Sequence, residues 1–328
     1  MKILLDVHGG DHSPSEIIDG AISALKDDRC LKLVIVGDGI LIKNRLIEFK
    51  ADLSRVEIVN ATEVVTNDDI VSEVINSKKD SSMVRGLELT AKRDDILGMI
   101  SAGSTGAMLT GATNIIGMIN NVQRAALAPI LPNINGGRFC IVDGGACTVS
   151  TAFHLSQFAL MGSVYMQTLY NLDAPRVALV SNGTEDTKGS PLTKEAFALL
   201  KNLPINFVGN MECNDALLGD YEVLVCDGFT GNVLLKSLEG ARGAFLTLLK
   251  NALMSNLRSK IGGKLIKPAV KKMLGTLGMD TLGAGAFLGF RKLVAKAHGN
   301  SKAKQIRAAL LQVAKMGELV PRLEKLFL

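Results

Sequence analysis

"MISAGSTGAML", Met99 to Leu109, is the stretch that decides the fold. An apolar run, Ile96–Ile100, enters a turn of small residues, Ser101-Ala102-Gly103-Ser104-Thr105-Gly106, and a helical pattern over Thr105–Met118 leaves it. A strand passing into a helix through glycine and hydroxyl residues presents free backbone N–H groups and the positive end of the helix dipole, which together favour an anion. The same grammar recurs in both directions along the chain. Apolar runs predict strands at Ile3–Asp6, Leu33–Val36, Val56–Val59, Phe139–Val142, Val177–Val180, Ile205–Val208 and Val223–Cys226. Most are continuous rather than alternating, the pattern of strands covered on both faces. The expected fold is α/β: a three-layer, mostly parallel sheet with helices on both faces.

Helices are expected from Ser13-Pro14-Ser15-Glu16, read as a Ser cap with Pro at the first helical position, to about Leu25, and at Leu41–Phe49, Ser82–Ala91, Phe153–Leu169 and Thr193–Asn202. A last amphipathic helix, Ala303–Leu326, is expected to break at Pro321. Without a low-complexity linker or internal repeat, residues 1–328 read as one α/β domain. It carries a basic amphipathic helical insertion at about 236–277. There Arg242, Lys250, Arg258, Lys260, Lys264, Lys267, Lys271 and Lys272 stand against Glu239, with apolar residues at helical spacing, and Gly262-Gly263 is expected to break the segment into a protruding hairpin. Such a face is either a solvated side of a packed helix or a docking surface for an acidic partner or an anionic membrane.

Composition narrows the class. Hydrophobic residues make up 47% and charged residues 21%, an ordinary globular balance; the absence of Trp and scarcity of aromatics argue against base stacking on nucleic acid. Net charge is +5, which favours acidic partners. Five scattered cysteines with no C-x-x-C pair fit a reducing cytoplasm rather than a zinc site or disulfide framework. The opening "MKILLDVHGG" is interrupted by Asp6, too early for a signal peptide, and no run approaches the about 18 apolar residues of a membrane span.

Several strand ends carry glycine with polar residues: Gly9-Gly10-Asp11, Gly103-Ser104-Thr105-Gly106, the turn around Gly145 in "VDGGACT", Asp227 to Asn232 in "DGFTGN", and Lys296-Ala297-His298-Gly299. In a parallel sheet such loops meet along one crevice. A further loop, "SNGTEDTKGSP", offers Asn182 and Lys188 as donors to an anion, or is simply solvated. No Walker pattern and no G-x-G-x-x-G is present, so a small free phosphate suits these turns better than a nucleotide or NAD. No serine elbow and no H-E-x-x-H occurs, and no metal or other cofactor is expected.

Taken together, "GGDHSP" (9–14), "KKDSSM" (78–83), "SAGSTGA" (101–107), "QFALMGSVY" (157–165), "NGTEDTKG" (182–189), "DGFTGNVLLK" (227–236) and "KAHG" (296–299) resemble the PlsX-type phosphate acyltransferases nearly end to end. The resemblance implies transfer of a long-chain acyl group from acyl carrier protein to inorganic phosphate, giving acyl phosphate for phospholipid synthesis. It also implies a homodimer working at the cytoplasmic membrane face without a nicotinamide cofactor, and a fold akin to isopropylmalate dehydrogenases and phosphotransacetylases. The chain departs from the family at His8 and Ser104, where Met and Asn are usual, and at Gly283-Ala284-Gly285, usually Gly-Gly-Ala. It departs most at Cys147–His154, usually Asn-x-Asp followed by Pro-Glu-His.

On this reading the site holds phosphate as the nucleophile against a thioester whose thiolate leaves readily. Lys188, Asn182 and His298 are the expected catalytic groups. The expected binding groups are Gly9, Gly10, Asp11, Gly103, Ser104, Thr105, Gly106, Gly145, Asp227, Asn232 and Lys296, and the carrier or membrane surface is Arg242, Lys250, Arg258, Lys260 and Lys264. Rival readings are a covalent enzyme using Cys147, a dehydrogenase of the related fold, and an impaired carrier-protein or membrane binding module.

Overall fold

The computed structural model describes residues 1–66, 68–276 and 283–328. In chain order the strands are β1 (Lys2–Asp6), β2 (Leu33–Gly37), β3 (Val56–Asn60), β4 (Ile96–Ser101), β5 (Ala126–Ala128), β6 (Ile130–Pro132), β7 (Arg138–Val142), β8 (Arg176–Val180), β9 (Asn206–Met211), β10 (Val223–Val225), β11 (Gly285–Leu288) and β12 (Leu293–Lys296). The helices are α1 (Ser15–Asp27), α2 (Gly39–Glu48), α3 (Val74–Ser77), α4 (Ser82–Lys92), α5 (Thr105–Ile115), α6 (Ala152–Tyr170), α7 (Pro191–Leu200), α8 (Gly228–Met254), α9 (Leu257–Thr276), α10 (Ala303–Ala314) and α11 (Leu319–Leu326).

The expected single sheet is two. Seven strands run β3-β2-β1-β4-β12-β11-β5, and five run β6-β7-β10-β8-β9. The pairs among β1 to β4 are parallel, as are β4–β12 and the pairs among β7 to β10; β11 and β6 pair antiparallel. The sheets meet at Pro129, between β5 and β6. Having no N–H, it contributes no donor there, while its carbonyl accepts from the Ile141 N–H at 3.2 Å. β5 and β6 escaped the sequence because Pro129 and Pro132 punctuate their apolar run, and β11 because glycines at 285 and 289 bracket it.

Continuous apolar strands do have both faces covered. On β1, Ile3 and Leu5 face a core shared with α1 and α10, while Leu4 faces one shared with α4; β2 divides Leu33 and Ile35 from Val34 and Val36 in the same way. The first of these cores continues under the second sheet through Val142, Val177, Leu179 and Phe158 of α6.

Three helix ends differ from expectation. α1 starts at Ser15, because the Ser13 hydroxyl donates to the His8 carbonyl (3.2 Å) instead of capping. The C-terminal helix breaks between Ala314 and Leu319, around Gly317, while Pro321 sits in the first turn of α11, where a missing N–H costs no helical bond. The hairpin turns at Ser255-Asn256, and Gly262-Gly263 lie inside α9. The Asn256 side chain accepts from the Ser259 N–H at 2.9 Å and starts α9, and Gly263 of α9 packs beside Leu253 of α8. The far end of the expected insertion, Leu277, lies outside the described residues. The hairpin projects with Leu248, Leu257 and Leu265 each more than two-thirds exposed, and only Gly228, Gly231 and Leu234 of α8 are buried.

Candidate active site

The carboxyl ends of β1, β4, β7 and β12 and one side of α8 enclose a cleft of about 990 Å³. This is where an α/β sheet binds ligands, because the strand-to-helix turns open there. Gly10, Asp11, Gly103, Ser104, Thr105, Gly145, Asn232, Lys296 and His298 all line it.

The β1 and β4 turns are locked together from below. The buried Asp6 carboxylate accepts from the Ser101 hydroxyl (2.7 Å) and the His8 N–H (3.0 Å), and Ser101 Oγ accepts from the Gly103 N–H (3.0 Å). Gly103 therefore spends its N–H inside the protein and offers none to an anion. Its glycine character serves packing: a Cβ would lie 2.7 Å from Met83 Cε, and a Cβ on Gly9 would strike the Gly103 backbone. Gly9 is buried and forms no part of the cleft lining. Gly10 combines φ of +94° with a carbonyl, that of Gly299, 2.8 Å from where a Cβ would stand. The first turn of α5 is capped by Ser104, whose hydroxyl lies 3.5 Å from the Ala107 nitrogen. Gly106 packs towards Val71 rather than into the cleft.

Lys296 ends β12 in the same cleft. Its ammonium donates to the carbonyls of Ala102 (3.1 Å) and Ala297. An ammonium has three N–H donors, so one remains for a ligand. Burial first, then the neighbouring Lys236, pulls its pKa down to about 8, with Asp11 and Asp6 opposing. A poorly hydrated cation beside a helix N-terminus is a strong anion anchor.

His298 sits at the rim. Its Nδ1 accepts from the Asn300 N–H at 3.2 Å, which leaves Nε2 facing Glu239 of α8 at 4.0 Å. Glu239 also accepts from Lys236 at 2.8 Å. Asp227 caps α8, accepting from the Phe229 and Thr230 N–H groups at 3.0 Å, and does not line the cleft.

Asn182 and Lys188 are exposed on the loop after β8 and do not line the cleft. Lys188 folds against Gly183, and the loop is tied down by Asp186 to Lys201 (2.7 Å) and by Asn210 to the Glu185 carbonyl (2.8 Å). Lys250, Arg258, Lys260 and Lys264 lie along the hairpin, away from the cleft. Arg242 turns into it.

Cys147 stands in a turn organised by Asp143. That buried carboxylate accepts from the N–H groups of Leu127, Gly145, Ala146 and Cys147, at 2.6 to 3.0 Å. Burial raises its pKa and these bonds oppose the rise. The Cys147 thiol donates to the Val149 carbonyl at 3.0 Å. His154, the nearest histidine in sequence, is occupied otherwise: its Nδ1 accepts from the Thr151 N–H in a capping box at the start of α6. Cys147 thus has no imidazole base among its hydrogen-bond partners.

The sequence missed the apolar wall of the cleft, which includes Leu127, Pro129, Ile130, Leu235 and Ala284, and several polar groups, among them Lys236, Glu239 and Ser301. The wall comes from the short strands at the junction of the sheets and carries no local signal. Glu239 and Leu235 could have been found by extending α8 from Asn232 at helical spacing.

Residues 1–322 match the family model described as fatty acid synthesis protein. The phosphate acyltransferase of Clostridium tetani is 42% identical over 312 residues, 95% of this chain and 93% of that protein. That of Thermoanaerobacter pseudethanolicus is 41% identical over 312 residues, 95% of this chain and 92% of that protein. A phosphotransacetylase from Streptococcus pyogenes shares the fold with a TM-score of 0.64 at 18% identity, over 96% of this chain and 94% of that one. A branched-chain phosphotransacylase from Enterococcus faecalis does so with 0.61 at 14%, over 97% and 99%. The structural neighbours establish the α/β architecture; the sequence matches, spanning nearly the whole chain, go further. The chain belongs to the fatty acid synthesis protein family, the PlsX-type phosphate acyltransferases.

Proposed function

We propose that this acyltransferase moves a long-chain fatty acyl group from acyl carrier protein to inorganic phosphate, giving acyl phosphate for phospholipid synthesis. The observation that carries the reading is Lys296, a largely buried ammonium with one free donor, in a cleft shared with the first turn of α5. Phosphate held there neutralises a cation that burial has left poorly solvated. One phosphate oxygen attacks the thioester carbonyl, the C–S bond breaks, and the thiolate leaves with the electron pair and takes a proton from solvent. The protein holds the two reactants together and stabilises negative charge as it forms. His298 at the rim is assigned to the carbonyl side of the reaction.

The acyl chain is assigned to the wall of Leu127, Pro129, Ile130, Leu235 and Ala284. The projecting hairpin combines Lys250, Arg258, Lys260 and Lys264 with exposed Phe245, Leu248, Leu257 and Leu265, which suits an acidic carrier and an anionic membrane face. No helix among the described residues is long and apolar enough to cross a membrane, so the proposed association is peripheral. A homodimer is part of the same proposal.

The test is to incubate purified protein with acyl carrier thioester, with and without phosphate, and trap acyl phosphate with hydroxylamine. Phosphate-dependent hydroxamate is the expected result. Thioester loss that is independent of phosphate, or no loss at all, rejects it.

A further inference from the structure

We infer that Arg242 is the binding residue for a phosphate group on the acyl donor, at the outer end of the cleft. This rests on the proposed acyl transfer and names how the donor is read. Arg242 belongs to the basic stretch of the hairpin, yet its half-buried side chain lines the cleft. Its Nε is buried and has no hydrogen-bond partner among the described residues. A buried guanidinium N–H left unpaired is costly, and native proteins leave few such groups without a ligand. The nearest acid on α8, Glu239 one turn earlier, is already held by Lys236 and faces His298.

Position separates this cation from the one at Lys296. Lys236, the α8 residue whose charge bears on Lys296, and Arg242 lie six residues apart, which is about 9 Å along the helix axis at 1.5 Å per residue. The two cations therefore stand at different depths of the cleft, and an elongated ligand meets both, with its reacting carbonyl at the inner end and an anion at the outer one. A carrier-borne thioester has this form: the thioester stands at the tip of a pantetheine arm, and the arm joins the carrier through a phosphodiester. Arginine suits that group because its fork pairs with two phosphate oxygens.

The test compares two small donors, the acyl thioester of pantetheine 4′-phosphate and that of pantetheine, so that the carrier's own surface plays no part. The wild type is expected to prefer the phosphorylated donor by at least tenfold in kcat/KM. Arg242→Gln should bring that preference to within about twofold, and Arg242→Lys should retain part of it. An unchanged preference in folded Arg242→Gln, or a rise in the KM of inorganic phosphate in its place, overturns the inference. Calorimetry of pantetheine 4′-phosphate binding gives a readout without turnover. Binding that is present in the wild type and lost in Arg242→Gln supports the inference even if no donor yields acyl phosphate, a result that rejects only the proposed reaction. Equal binding to both proteins rejects the inference alone.

Discussion

The two ends of the seven-stranded sheet carry charge in opposite ways. At the amino end, Lys2 reaches Glu57 (2.7 Å) and Asp95 (3.1 Å), and Arg93 reaches both Glu57 and Asp95 (2.5 and 2.8 Å). Two cations and two carboxylates close on one another, and hydrogen bonds from Arg93 and then Lys2 hold the Glu57 pKa at about 2. At the carboxyl end, among the described residues, the hydrogen bonds of Lys296 go to carbonyls and Arg242 has a buried N–H with no partner. Closed charge networks tie strands together and have nothing left to offer a ligand. Cations buried without a carboxylate are a local cost to the fold and a standing attraction for an anion.

The largest effect that follows is on Lys296. Lys296→Met should lower acyl phosphate formation by about a hundredfold or more, roughly 3 kcal/mol of transition-state stabilisation. Its stability, read by urea unfolding, should stay within about 1 kcal/mol of wild type, since relief from burying an ammonium offsets two carbonyls left unpaired. The Lys296 pKa is depressed, so the unfolded chain binds the extra proton between pH 8 and the ordinary lysine value. Wild-type stability should therefore gain from this group as pH rises through that window, while the KM for phosphate rises above about pH 8. Lys188→Ala is the matched comparison. A greater loss there than at Lys296 moves the reaction centre to the loop after β8.

Next comes the hairpin. Arg258, Lys260 and Lys264 changed together to Glu should weaken binding to anionic vesicles by tenfold or more at low salt. The wild-type binding should fade with ionic strength, and unfolding should shift by no more than about 0.5 kcal/mol. Vesicle binding equal to wild type returns the hairpin to a structural role.

The closed network should behave in the reverse sense to Lys296. Glu57→Gln should cost about 1 kcal/mol of stability, a figure kept small by water around a carboxylate one-third exposed, and leave turnover within twofold. Glu57 has a depressed pKa, so its contribution is present above its ordinary carboxylate value and is lost as pH falls towards about 2. If the variant loses activity without stability, the two ends of the sheet are not the opposites described.

The smallest effect belongs to Cys147. With no imidazole base bonded to it, Cys147→Ala should retain activity within twofold and stability within about 0.5 kcal/mol, and mass spectrometry of quenched wild-type reactions should find no acylated cysteine. An acyl thioester trapped at Cys147 would establish the covalent route instead.

What the sequence determined alone was local. A continuous apolar run such as "LVIV" at 33–36 needs cover on both faces wherever it lies, and a small-residue turn such as Ser101–Gly106 starts a helix by its own backbone preferences. From these came the parallel β-α grammar and the loops at the strand ends, and the ordered motifs named the family. Tertiary structure decided whatever depends on a distant neighbour. Pro129 divides one expected sheet into two because β11 and β7 pair on either side of it. The hairpin turns at Asn256 rather than at Gly262-Gly263, because a capped polar turn there lets Gly263 of α9 pack against Leu253 of α8. Lys188 and Lys296 look alike as lysines in strand-end loops, yet one is exposed and the other is enclosed by the Ala102 and Ala297 carbonyls. Burial is set by what folds over a residue, and charge responds to burial; neither is written in the residue's own neighbourhood of the chain.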